Sequence, residues 1–246
     1  MKRSMQCAAA VLVAVLCDVS DFGRARAQAL GPESFASPML PMKVPIPGAD
    51  PRTGIPPGKV TVLALDELPP AARWAAEHDL KDYSEGFKSV LDSDIQDDLA
   101  NFMNIMIAPS NGPRLENSTL RLGATERLQW PHLGTIPGLR VQGKIVMETR
   151  VFKRPDNTMV FVEEFAYPRS PGSGIVVVRE LQNVMVGPHP ARLSVDRSPG
   201  GLARSTLTWA TDRGKFDITV FDDVDAPRDP RWGRAWMLST AANLGT

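Results

Sequence analysis

Four aspartates crowd one stretch near the C-terminus: Asp222, Asp223, Asp225 and Asp229. Calcium takes six to eight oxygen ligands, and a loop of this kind can supply several. Arg228 and Arg231 lie beside them, so the preferred expectation is a solvated loop whose carboxylates are tied up in salt links. An earlier quartet, Asp92, Asp94, Asp97 and Asp98, fits calcium poorly. Its sixth place is Asp97 where glycine must turn the chain, and its twelfth is Met103 where a bidentate glutamate must close the shell. That quartet reads as the wet face of a helix.

The only imidazoles are His78, His132 and His189, far apart in the chain. Each alone reads as a surface or loop histidine, although folding can bring one to a carboxylate and make a general base. The run from Gly138 to Ile145 matches a phosphate loop through Lys144 but puts Ile145 where a hydroxyl must meet magnesium, and an alternating strand follows where a helix is needed. Gly172-Ser173-Gly174 lacks the glycine two residues before the serine, because Pro171 stands there, so it reads as a plain turn. Asn117-Ser118-Thr119 is a glycosylation sequon that matters only in a eukaryotic secretory pathway. No residue is assigned as catalytic, cofactor-binding or metal-ligating, and no cofactor is implied.

Both cysteines, Cys7 and Cys17, sit in an N-terminal segment with the marks of a secretory signal. Lys2 and Arg3 precede the apolar run 8–17, and small residues then alternate at Ala25, Ala27 and Ala29. Ten apolar residues span only about 15 Å of helix, half of a bilayer core. Cleavage is expected after Ala29. Lipidation at Cys17 is disfavoured by Leu16, where a small side chain is wanted, but stays open. A chain cut there has no thiol, which excludes disulfides, thiolate metal sites and cysteine nucleophiles.

Composition bounds the rest. The chain has 246 residues with 28 basic and 28 acidic side chains. Cleavage after Ala29 removes Lys2, Arg3, Arg24 and Arg26 with Asp18 and Asp21, leaving 24 basic, 26 acidic and a charge of −2. No basic run follows Ala29, so nucleic acid is not an expected partner. Prolines at 32, 38, 41, 45, 47, 51, 56 and 57 remove amide donors too often for helix or central strand, which makes 30–58 a leader or tether, expected to be disordered.

The remainder, 59–246, is expected to form one globular domain. Residues 59–65 read as a short strand, and Pro69-Pro70 opens a helix. Ser84 can cap a longer helix striped by Phe87, Leu91, Ile95, Leu99, Phe102 and Met106, ended by the prolines and glycine at 109–113. Residues 139–151 alternate as a strand with one wet face; Pro155-Asp156-Asn157 turns it into a partner at 158–167. Residues 175–178 are apolar on both sides, which suits a central strand. A last hairpin joins 206–211 to 216–221, with Gly214 expected in the left-handed position and Leu207 and Trp209 opposing Phe216, Ile218 and Val220. Asp229 and Pro230 start a helix through Leu244 that lays Trp232 and Trp236 on the sheet, unless those rings form an exposed platform. The expected class is α+β: an antiparallel sheet of meanders and hairpins, helices covering one face, and a C-terminal helix packed on the sheet.

Two functions are compatible with this. The preferred one is an exported, soluble, non-catalytic binding or assembly module of the periplasm or exterior, with an unknown ligand or envelope protein as partner. No transmembrane segment is expected once the signal is removed. The alternative is a periplasmic or secreted hydrolase using a histidine and a carboxylate brought together by the fold.

Overall fold

The computed structural model describes residues 60–106, 130–138, 140–141, 144–166, 175–212 and 214–244. The signal segment, the proline-rich leader, the sequon, the 109–113 helix stop and the Gly172-Ser173-Gly174 turn lie outside them. In chain order the elements are β1 (Val60–Leu63), α1 (Pro70–Asp82), β2 (Lys88–Ser89), α2 (Asp92–Ile105), β3 (His132–Pro137), β4 (Arg140–Val141), β5 (Lys144–Ile145), β6 (Met147–Lys153), β7 (Met159–Ala166), β8 (Ile175–Val178), β9 (Val184–Val186), β10 (His189–Arg197), β11 (Ala203–Ala210), β12 (Gly214–Val220) and α3 (Arg234–Leu244). The main sheet runs β2-β10-β11-β12-β7-β6-β3, with β9 also on β10. Only the β2–β10 pairing is parallel in it. β1–β8 form a separate parallel pair and β4–β5 a small antiparallel one. The fold is α+β with a mixed, mostly antiparallel sheet. No helix among the described residues is long and apolar enough to cross a membrane.

Local chemistry sets the turns. Between β6 and β7, Arg154 N–H donates to Thr158 O at 2.9 Å and Asn157 takes φ 71°, the left-handed place that asparagine tolerates. Gly201, at φ 81°, fills the equivalent place between β10 and β11. Gly214 differs from expectation. It is not among the left-handed residues but begins β12 opposite Ala166, and a Cβ there would stand 2.7 Å from Phe165 O. Its glycine serves a close approach to β7. On the outer edge of β10, the Asn183 side chain both donates to and accepts from the Leu193 backbone at 2.8 Å, completing the ladder between β9 and β2.

Partners across a sheet share a face. One row on the first face is Arg150–Val162–Ile218–Leu207–Leu193, and the row one residue along on the second face is Thr149–Glu163–Asp217–Thr208–Arg192. The first face shares a core cluster with Met237, Ala241 and Leu244 of α3. On the second face Ile136, Val151 and Phe161 pack with Leu99 and Phe102 of α2. Apolar contacts on both faces replace the one-sided cover expected from the sequence.

Several boundaries move for physical reasons. The 139–151 strand is divided among β4, β5 and β6, with β4 and β5 paired to each other and Val146 between β5 and β6, and β6 has no wet face: Glu148, Thr149 and Arg150 are all buried, with Glu148 and Arg150 paired at 2.5 Å. β8 is apolar on both sides yet not central. Val176 and Val178 face Ala72 and Ala76 of α1, whereas Ile175 and Val177 face Phe165 and Ala210 of the main sheet. α2 starts at Asp92 rather than after Ser84, because Val90 N–H is drawn to Arg197 O beside β2 and Asp94 caps the Leu91 N–H at 3.1 Å. Leu91 is left exposed. At the C-terminus Asp229 accepts from Arg231 N–H as expected, but Pro230–Trp232 is a separate 3₁₀ turn, and Gly233 divides it from α3.

Candidate functional site

The three histidines are scattered. His78 lies exposed on α1 with its ring 3.9 Å from that of Trp74. His132 opens β3, its Nε2 2.9 Å from Gly134 O and its ring against Phe152. His189 opens β10 beside Trp209 and Ala241. None of them meets a carboxylate among the described residues. No group of His, Asp or Glu there is arranged to hold a metal.

The aspartates are matched to arginines. Asp222 takes Arg154 at 2.6 Å, Asp223 takes Arg197 at 2.6 Å, Asp225 takes Arg234 at 2.9 Å and Asp229 takes Arg231 at 2.6 Å. The loop is thereby fastened to the β6–β7 turn, the end of β10 and the start of α3. Although burial pushes the Asp223 carboxyl up, Arg197 and the backbone N–H groups of Asp225 and Ala226 hold it below its usual range. In the earlier quartet Asp92 accepts from Gly200 N–H at 3.0 Å, and Asp98 pairs with Arg204. Asp98 is thus not part of a wet face, and burial raises its carboxyl against the pull of Arg204.

Asp98–Arg204 belongs to a polar layer on the second face. Arg204 also binds Asp196, which accepts from Tyr83 Oη at 2.6 Å; Arg192 grips Asp79 of α1 with both terminal guanidinium nitrogens. Farther along, Asp217 takes Thr208 and Lys215. Burial pulls the Lys215 ammonium down, but Asp217 and Glu163 carry it above its usual value. These contacts join α1 and α2 to the sheet. The 138–145 stretch adds no phosphate site, since β4–β5 pair where a helix would have to begin.

A different cluster opens to solvent. Trp130 is brought to the end of β6 by Lys153 N–H donating to Pro131 O at 3.0 Å. Trp232 comes from the 3₁₀ turn and Trp236 from the first turn of α3. Their ring centroids are 5.6 to 6.0 Å apart, two of the three pairs edge-to-face. All three rings are half-buried. Between them lies Arg154, its Cζ 4.7 Å from the Trp232 ring and 5.2 Å from that of Trp236. The Arg154 side chain is fully buried, yet Asp156 and Asp222 each hold it at 2.6 Å. Burial depresses the guanidinium and these two carboxylates more than reverse it; Arg154 in turn lowers Asp156. Two buried donors find no acceptor: Arg154 Nη1 and Trp232 Nε1.

The Trp232/Trp236 spacing is legible in sequence, but the expected geometry is corrected: Met237, Ala241 and Leu244 reach the core centre, and the tryptophans gather at its margin. Trp130 and Arg154 carried no signal. Arg154 sits at the head of an ordinary turn, and nothing in its neighbours says that it enters an aromatic cluster. Comparison with known proteins finds no family model, no curated protein and no solved structure that matches this chain.

Proposed function

We propose that the chain is an exported, non-catalytic binding or assembly module of the periplasm or cell exterior, released from its signal after Ala29, tethered by the 30–58 leader, and built on a helix-covered antiparallel meander. The Trp130–Trp232–Trp236 margin is its contact surface. The observation that carries this reading is the half-open cluster of three indoles, each of which can bury roughly 150–250 Å² in full contact. The separation of the histidines from every described carboxylate speaks for binding over the hydrolase alternative.

The test is mass spectrometry of what co-purifies with the protein from its native envelope, wild type against Trp232→Ala. A ligand or partner enriched about tenfold on the wild type is the expected result. Equal recovery on both proteins removes this surface from the function. N-terminal sequencing of the same preparation should begin at Leu30; a chain that retains Cys17 overturns the export and no-thiol arguments together.

A further inference from the structure

The chemistry around the three indoles narrows the ligand, on the premise that this surface binds. The flat ring faces favour a ligand with an apolar face of its own. Around them stand the carboxylates of Asp156, Asp222 and Asp229 and the guanidiniums of Arg154 and Arg231, three negative charges against two positive. An anionic ligand such as a phosphate or a uronic acid chain meets a net repulsion there. A cationic ligand finds the place between Trp232 and Trp236 already held by Arg154. Surplus acceptors instead favour a neutral molecule rich in hydroxyl donors. Arg231, 79% exposed, and Asp229, 33% exposed, offer a donor and an acceptor at the rim.

We propose that the Trp130, Trp232 and Trp236 surface binds a neutral saccharide, with a sugar ring stacked on an indole and its hydroxyls hydrogen-bonded to Asp229 and Arg231. An oligosaccharide has both required features, an apolar C–H face and a hydroxyl edge.

Calorimetric titration of the full secreted chain tests this, with the tetramer of N-acetylglucosamine, maltotetraose and cellotetraose as neutral probes and tetragalacturonate as the anionic one. The expected result is saturable binding of at least one neutral probe with Kd between about 10 μM and 1 mM, and weaker or no binding of tetragalacturonate. Trp232→Ala should weaken the neutral probe by about tenfold or more. Because Trp232→Ala can disturb the C-terminal turn, Arg231→Ala at the exposed rim provides the second variant: it should keep the wild-type melting temperature and still weaken binding several-fold. No saturation by any neutral probe overturns the proposal, as does equal or tighter binding of tetragalacturonate, or full affinity in Arg231→Ala and Trp232→Ala alike. If no saccharide binds while a partner still co-purifies in a Trp232-dependent way, the binding-module reading stands and the saccharide alone is rejected.

Discussion

The rows Arg150–Val162–Ile218–Leu207–Leu193 and Thr149–Glu163–Asp217–Thr208–Arg192 lie on the same five strands, one residue apart, and differ in almost everything but burial. In the first, four aliphatic side chains join the cluster that includes Met237 and Ala241 of α3. In the second, hydroxyls and charges predominate, and Arg192 reaches Asp79 of α1. Apolar burial is non-directional and tolerates small rotations of the covering helix. Ion pairs and hydrogen bonds are directional, so Asp79–Arg192 and Asp98–Arg204–Asp196 fix where α1 and α2 sit along the strands. One face supplies attraction and the other supplies placement as well.

The sharpest way to break that comparison is to cut each face at a single residue. Trp209, 1% exposed and stacked on Phe216, should cost about 3–5 kcal/mol when changed to Ala, read by urea denaturation. Arg192→Ala should cost about 3 kcal/mol, because it deprives a buried Asp79 of its guanidinium. The double change Asp79→Leu with Arg192→Leu should recover most of that loss, since an apolar pair of similar size removes both desolvation penalties. A double variant as weak as the single would mean that the second face needs its charges for stability and not only for placement.

Smaller effects sharpen the contrast at the margin. Trp236→Ala should cost about 1–2 kcal/mol, below the value for Trp209, because its ring is only half-buried. An equal cost would return Trp236 to the core and weaken its role as a contact surface. The response to acid should also divide the charges. Asp156 and Asp223 have lowered carboxyls, so their contribution is fully present above the unfolded value near 4 and is lost as the pH falls through their folded values. Asp98 has a raised carboxyl, so its contribution runs the other way and declines as the pH rises through its folded value. Melting curves of Asp156→Asn should show a flatter acid limb than the wild type. Those of Asp98→Asn should show an unchanged or higher midpoint at neutral pH, and a marked drop would make the Arg204 pair a net stabiliser.

What the sequence determined by itself was whatever depends on neighbours in the chain. The β6–β7 turn follows from Pro155, Asp156 and Asn157, and the pairing of Leu207 with Ile218 and Trp209 with Phe216 follows from alternation across a short turn. The inward stripe of buried Ile95 with Leu99 and Phe102 follows from helical spacing. β10 was not legible, because its second-face residues Arg192, Ser194 and Asp196 look like a solvated edge until Asp79, Tyr83 and Arg204 are brought to them. β6 was assigned a wet face for the same reason. The candidate site divides likewise: Trp232 and Trp236 announce themselves by spacing, whereas Trp130 and Arg154 join them only through the sheet register and the salt-linked loop. Polarity in a sequence records what a side chain can bond to. Whether its partner is water or a residue on another element was decided by the tertiary structure, since only chain closure over long separations puts the two within hydrogen-bond reach.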